Sequence, residues 1–267
     1  MKDKVTATKL AELKRKGVKI AALTAYDCQT SQLLEEAGVD VILVGDSVGM
    51  VKLGYENTIP VTLDEILHHV KAVRRGLGLG ARRRPLLAAD MPYLTYELSA
   101  AEAARNAGRL VKEGGAEAVK LEGGMEVAPV VKELLRVHVP VMGHLGLTPQ
   151  AVHRLGGFKV QGRKAEDAEK MVTDAKVLEA AGIFALVLEC VPPDLAREIT
   201  HKLSIPTIGI GAGPHCDGQI LVTDDMLGLT GGAPYSFVKR YCDLRSMAAQ
   251  ALGQYCREVR DGSFPAT

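Results

Sequence analysis

Val39-Asp40-Val41-Ile42-Leu43-Val44-Gly45-Asp46-Ser47-Val48-Gly49-Met50 reads as a buried strand that ends in a charge. Val39 to Val44 is a near-continuous apolar run of β-branched residues and Leu, the pattern of a parallel strand covered on both faces. It passes into Gly45-Asp46-Ser47-Val48-Gly49, which sets a carboxylate and a hydroxyl at the carboxyl end of the strand, between glycines that let the chain turn. Ligands bind at that end in α/β folds. Taken alone, Asp46 and Ser47 would serve equally well as caps of the turn. The recurrence of the pattern along the chain decides between the two.

Before this stretch, Lys19 to Leu23 reads as a strand, and Asp27 caps a helix through Ala37 that Gly38 ends. After it, Thr62-Leu63-Asp64-Glu65 is a capping box opening a helix with Ile66, Leu67, Val70 and Val73 at helical spacing. Pro85 to Pro92 is a strand finishing on Asp90, and Ser99-Ala100-Ala101-Glu102 is a second capping box, opening a helix that Gly114-Gly115 terminates. The strand Ala118 to Gly124 carries Lys120 and Glu122 at its end, and Val139 to His144 ends on a histidine. A long loop, Leu145 to Gly162, precedes a helix from Ala165 to Ala181 stopped by Gly182. Phe184 to Pro192 places Glu189 at its tip, and a helix from Asp194 to Leu203 leads to the strand Ile205 to Gly211. Gln219 to Val222 is a short eighth strand; a polar helix ending at Lys14-Arg15-Lys16-Gly17 opens the chain and helices between Ser236 and Val259 close it. Eight strand-and-crossover units at about 33 residues each match the increment of a (β/α)8 barrel. No linker interrupts the pattern, so residues 1–267 are expected to form one barrel domain.

Composition narrows the function classes. The 33 Lys+Arg and 32 Asp+Glu leave a net charge of +1, which gives no field favouring nucleic acid or an anionic membrane. Arg82-Arg83-Arg84, beside Pro85, is expected to be a solvated edge. Cys28, Cys190, Cys216, Cys242 and Cys256 are odd in number and lack CxxC spacing, which argues against a disulfide framework or a zinc site and for a reducing compartment. Asp3 and Glu12 interrupt the N-terminal segment, so no secretion signal is expected, and no apolar run reaches the length of a membrane span. His68 and His69 are neighbours on one helix, pointing about 100° apart, a poor arrangement for one metal.

All strand carboxyl ends of such a barrel open on one face, so Asp46, Asp90, Lys120, Glu122, His144 and Glu189 converge there. Four carboxylates in one mouth repel unless a cation neutralises them, and oxygen donors favour a hard ion, Mg²⁺ or Mn²⁺. A 2-oxo acid chelates such an ion through its carboxylate and keto oxygens, and the ion stabilises the enolate left when a proton leaves the adjacent carbon. Glu189, flanked by Leu188 and Cys190, reads as an isolated base whose apolar surroundings raise its pKa. Lys120 suits either a contact to the substrate carboxylate or a Schiff base. Gly209-Ile210-Gly211-Ala212-Gly213-Pro214 is no full dinucleotide fingerprint, so a nicotinamide cofactor is not expected.

Several segments, in order, resemble the ketopantoate hydroxymethyltransferase family: Thr24-Ala25-Tyr26-Asp27, Val44 to Met50, Ala89-Asp90-Met91-Pro92, Val119 to Gly124, Met142 to Gln150, Glu189-Cys190-Val191-Pro192 and Ile208 to Gly213. The resemblance implies a TIM barrel of the phosphoenolpyruvate/pyruvate type and transfer of a hydroxymethyl group from 5,10-methylenetetrahydrofolate to 3-methyl-2-oxobutanoate, giving 2-dehydropantoate for pantothenate synthesis. It further implies one Mg²⁺ per subunit on Asp46 and Asp90 with Glu122 in support, the oxo acid on Asp46, Ser47, Asp90 and Lys120, proton removal by Glu189, and a cytoplasmic homodecamer. His144 matches a pocket position. Two other readings stand beside it. A Mg-dependent carbon-carbon lyase or mutase of the phosphoenolpyruvate mutase/isocitrate lyase type would bring a reactive cysteine, and a non-catalytic metabolite-binding barrel would lack at least one catalytic group.

Overall fold

The computed structural model describes residues 3–78, 83–232 and 235–265. Its centre is a closed barrel of eight parallel strands paired in chain order. They are β1 (Ile20–Thr24), β2 (Val41–Val44), β3 (Leu86–Asp90), β4 (Ala118–Glu122), β5 (Val141–Gly146), β6 (Ala185–Glu189), β7 (Thr207–Ile210) and β8 (Gly218–Leu221). The (β/α)8 architecture expected from the strand spacing is the one the chain adopts.

The helices are α1 (Ala7–Arg15), α2 (Cys28–Glu36), α3 (Leu63–Gly76), α4 (Ala100–Lys112), α5 (Ala128–Arg136), α6 (Val152–Leu155), α7 (Ala165–Ala181), α8 (Pro193–Lys202), α9 (Thr223–Met226) and α10 (Leu244–Asp261). Side-chain caps start several of them. Asp27 accepts from the Thr30 amide, and Thr62 and Glu65 form both bonds of a capping box, whereas the box expected at Ser99 and Glu102 reduces to one bond, Ser99 accepting from the Glu102 amide.

The alternation of side chains along each strand sorts the core into two shells. Val41, Leu43, Leu86, Ala88, Ala118, Met142, Ala185 and Val187 pack inside the barrel in one buried cluster. Ile42, Val44, Leu87, Ala89, Val119, Leu121, Leu186 and Leu188 face outward into a second cluster with helix residues such as Ile66, Val70, Leu110 and Leu134. Leu10 and Leu13 of α1 join the inner cluster. Lys14 fixes α1 by donating to the Thr200 and Ile205 carbonyls at 3.0 and 2.9 Å and to Asp217 Oδ2 at 2.9 Å, so this helix stoppers the amino-terminal end and leaves the carboxyl end for chemistry.

Four local expectations change. β2 starts at Val41 rather than Val39, and Asp40 instead turns its Oδ2 to accept from the Ala21 amide at 2.9 Å. The Leu145 to Gly162 loop contains a 3-10 turn, Pro149–Ala151, and α6; proline at the first turn position pre-sets its φ. The final helix begins only at Leu244, where Asp243 accepts from the Ser246 amide. Finally, Asp3–Lys4 pairs in parallel with Arg83–Arg84, and the Arg84 guanidinium meets Glu117, which Lys4 also reaches at 2.6 Å. Arg84 is therefore a paired group and not a solvated edge; Arg82 lies outside the described residues. The chain divides into two compact units, Met1–Ile220 and Leu221–Thr267, the second carrying α9 and α10. No described helix is long and apolar enough to cross a membrane.

Candidate active site

The parity that sends Leu86 and Ala88 inward also sends Asp90 inward; on β4 it sends Lys120 and Glu122, on β5 His144, and on β6 Glu189. Strand register stacks them. Asp90 pairs with Lys120 across β3 and β4, Glu122 pairs with His144 across β4 and β5, and Glu189 stands opposite Gly146 one layer higher. Asp46 enters from the turn after β2, where its backbone amide donates to Asp90 Oδ2 at 3.0 Å. Gly45 makes this approach possible: a Cβ there would lie 2.9 Å from Ser47 Oγ and 3.3 Å from Asp90 Oδ2.

Lys120 is the hub. Its Nζ is 3.1 Å from Asp90 Oδ1, 3.5 Å from Glu122 Oε1 and 3.3 Å from His144 Nδ1. His144 bridges outward, with Nδ1 3.2 Å from Glu122 Oε1 and Nε2 3.3 Å from Glu189 Oε2, the latter without hydrogen-bond alignment. Ser47 Oγ lies 2.8 Å from the Tyr26 hydroxyl, which fixes its rotamer. Every sequence-predicted site residue thus comes to one end of the barrel. One expectation changes: Glu189 is not isolated among apolar neighbours but faces an imidazole, and at 18% side-chain exposure it is far more open than Glu122 at 4%.

The electrostatics follow from crowding. Burial, reinforced by Asp90 and Glu122, holds Asp46 well above the usual carboxylate range. Burial also raises Asp90 although Lys120 opposes it, whereas at Glu122 burial is outweighed by Lys120 and His144 and the carboxyl titrates low. Burial works to lower Lys120, but Asp90, Glu122 and Asp46 together hold it above its ordinary value, so it stays an ammonium. That removes the Schiff-base reading, which needs a free amine at working pH. Burial and Lys120 oppose protonation of His144; Glu122 and Glu189 overcome them and lift its pKa to about 9.

The donor set fits a hard cation. Asp90 Oδ1 is buried and, although 3.1 Å from the Lys120 ammonium, makes no aligned hydrogen bond, and burial beside other carboxylates raises the Asp46 pKa, both conditions that a bound cation relieves. Among the described residues no group of three or more His, Cys, Asp or Glu forms a ready-made metal cage. Magnesium does not require one, because it is commonly held by one or two carboxylates with water and substrate oxygens completing its shell.

Gln150 has no role in the sequence reading, yet it ties the site together. Its Nε2 donates to Asp46 Oδ2 at 2.8 Å and to the Met91 carbonyl at 3.0 Å, its backbone amide donates to Glu122 Oε2 at 3.1 Å, and its Oε1 accepts from the Tyr96 hydroxyl at 2.7 Å. Only its place just beyond β5, on the functional rim, marks it in the sequence. Glu122, Tyr96 and Gln150 also border a cavity of about 420 Å³ that Tyr93, Glu126 and Arg154 help to line.

Comparison with known proteins identifies the family. The family model described as ketopantoate hydroxymethyltransferase matches residues 4–267. The chain belongs to the ketopantoate hydroxymethyltransferase family. It is 54% identical over 265 residues to the 3-methyl-2-oxobutanoate hydroxymethyltransferase of Thermoanaerobacter sp. (strain X514), covering 99% of this chain and 95% of that relative. The protein of the same name from Moorella thermoacetica is 54% identical over 264 residues, covering 99% and 96%. Membership makes the chain a transferase enzyme of the hydroxymethyltransferase type. Among solved structures, a phosphonopyruvate hydrolase complex with oxalate and Mg++ superposes with a TM-score of 0.63 at 14% identity, covering 96% of this chain and 87% of that one. A 2,3-dimethylmalate lyase of the PEP mutase/isocitrate lyase superfamily gives 0.58 at 13% identity, covering 98% and 89%. At these identities the likeness speaks for the barrel alone.

Proposed function

We propose that this protein transfers a hydroxymethyl group from 5,10-methylenetetrahydrofolate to 3-methyl-2-oxobutanoate, giving 2-dehydropantoate, with Mg²⁺ as its metal. The observation that carries the reading is the buried cluster of Asp46, Asp90, Lys120 and Glu122 beneath a more open Glu189, on a chain of this family. When bound, the magnesium supplies a Lewis acid that stabilises negative charge on the substrate's keto oxygen.

The protein's own groups do the rest. Asp46 and Asp90 hold the cation, and Glu122, in contact with Lys120 and His144, supports that cradle from beside it. The Lys120 ammonium meets the substrate carboxylate, and Ser47, oriented by Tyr26, donates to the bound oxo acid. Glu189 Oε2 takes the proton from C3, and the His144 ring 3.3 Å away faces that oxygen. Water adds to the folate methylene and the C–N bonds to the carrier break, so that tetrahydrofolate leaves; C3 bonds to the released one-carbon unit at the formaldehyde level, whose oxygen takes up a proton and becomes the new hydroxyl.

The lyase or mutase reading gains nothing from the site. Cys190, the cysteine beside Glu189, has its thiol pushed up to about 11 by burial and by Glu189, the wrong direction for a reactive nucleophile. The proposal includes a cytoplasmic homodecamer with one Mg²⁺ per subunit; light scattering of the purified protein tests the decamer, and calorimetric titration with Mg²⁺ tests the stoichiometry. The test of the activity is a coupled assay with both substrates: product formation that EDTA abolishes and Mg²⁺ restores is the expected result, and no product under any condition refutes the reading.

A further inference from the structure

We propose that Gln150 is a positioning residue that holds the Asp46 and Glu122 carboxylates in a cation-ready arrangement while leaving their charge for the cation. The two acids reach the site from different elements, Asp46 from the turn after β2 and Glu122 from the tip of β4, and their mutual repulsion contributes to the raised pKa of Asp46. Gln150 gives each of them one donor, from its side-chain amide to Asp46 Oδ2 and from its backbone amide to Glu122 Oε2. Both donors are neutral. A lysine or arginine in the same place would organise the acids equally well but would also neutralise them and compete with a divalent ion.

The orientation of the Gln150 amide is fixed by its neighbours. Nε2 faces two acceptors, the Asp46 carboxylate and the Met91 carbonyl, and Oε1 faces the Tyr96 hydroxyl. A flipped amide would set its oxygen against both acceptors, so only one rotamer satisfies the group. The backbone donor is equally constrained, because Gln150 lies at the start of the Pro149–Ala151 turn, where the Ala151 amide already takes the Thr148 carbonyl and the Gln150 amide turns to Glu122 Oε2 instead. Gln150 is only 6% exposed, so its polar groups depend on these bonds.

The inference rests on the proposed cation at Asp46 and Asp90, and Mn²⁺ titration of the full-length protein, followed by electron paramagnetic resonance without substrate, separates the two. Gln150→Met keeps side-chain length and removes the amide, and Tyr96→Phe removes the hydroxyl that donates to Oε1 and that also meets the Glu122 backbone carbonyl and amide at 3.1 and 3.2 Å, so it loosens the same two groups from the other side. Loss of a group that orients a metal ligand costs about 10–100-fold in metal affinity, so Gln150→Met should raise the Mn²⁺ Kd by about tenfold or more, and Tyr96→Phe by a smaller factor in the same direction. A residue that merely supports the fold would lower the melting temperature of the metal-free protein and leave the Kd of the folded fraction unchanged. A positioning role also predicts a KM for Mn²⁺ that rises while kcat at saturating Mn²⁺ stays close to the parent's. An unchanged Kd in folded Tyr96→Phe and Gln150→Met overturns the inference; if Gln150→Met does not fold, Tyr96→Phe alone decides. A parent protein that binds no Mn²⁺ overturns the metal reading itself.

Discussion

Replacing Glu189 with glutamine separates proton removal from every other task of the site. The exchange is isosteric, and the position is open enough that a neutral amide carries no burial penalty of the kind it would meet at Glu122, where the side chain is 4% exposed. Its carboxylate lies 3.3 Å from His144 Nε2 without an aligned hydrogen bond to lose, and an amide oxygen fits the same place, so stability should change by about 1 kcal/mol or less. Asp46, Asp90 and Lys120 are linked to one another and to Gln150 rather than to Glu189, so the groups assigned to metal and oxo-acid binding stay as they are. The amide cannot accept a proton. A positioned general base contributes about 10²–10⁴-fold, or about 2.7–5.5 kcal/mol of barrier. The assay is proton NMR of 3-methyl-2-oxobutanoate in D₂O with Mg²⁺ and no folate, which reports exchange at C3 alone, beside calorimetry of oxo-acid binding. Exchange should fall at least about 100-fold with binding retained. Exchange at the parent rate refutes Glu189 as the base, and parallel loss of exchange and binding makes it a substrate-positioning group instead.

Lys120→Met leaves Asp90 and Glu122 buried without their cation, which costs about 3–5 kcal/mol; thermal unfolding in EDTA should show a large fall in Tm, partly recovered on adding Mg²⁺. Because Lys120 stays an ammonium, borohydride added with the oxo acid should leave the protein mass unchanged, and a reduced adduct would restore the Schiff-base mechanism. His144 contributes stability through a pKa raised from 6.5 to about 9, so that contribution is complete below pH 6.5 and disappears as pH rises through 9; in metal-free protein the gap in stability between the parent and His144→Gln should close over that window. Asp46 has the opposite consequence for the cation: a proton held above the usual carboxylate range competes with metal, so Mg²⁺ should raise Tm less as pH falls, and an effect independent of pH argues against Asp46 as a ligand. Gly146→Ala sets a Cβ 2.2 Å from the Glu189 carbonyl on a backbone with φ of 98°; strain of at least about 1–3 kcal/mol should displace the tip of β6 and slow C3 exchange more than it weakens Mn²⁺ binding.

The barrel and the identity of its rim residues were legible because both follow from local patterns. Strand spacing gave the eight units, and the period of two along each strand groups Leu86, Ala88 and Asp90 on one face and Leu87 and Ala89 on the other, while which of these two apolar faces turns inward is settled by barrel packing. Lys120 and Glu122 share that parity on β4, and Glu189 shares it with Ala185 and Val187 on β6. What stayed illegible depends on register between strands. Nothing near Glu189 in the sequence announces His144, because the pairing of Gly146 with Glu189 is what brings the imidazole beneath that carboxylate, and it turns a residue expected to sit among apolar neighbours into one facing a cation.

Gln150 shows the same limit from the other side. Its chemistry depends on four partners from four segments, the turn after β2, Met91, Tyr96 and the tip of β4, none of them within fifty residues of it except Glu122. A polar residue in a turn signals nothing by its type, since most are solvated; its function comes from being buried with both ends of its amide committed. Charged residues at strand ends are conspicuous because burial of a charge needs a reason. The neutral donor that lets those charges coexist is inconspicuous for the property that suits it to the task, which is that it adds hydrogen bonds to the cradle without adding charge.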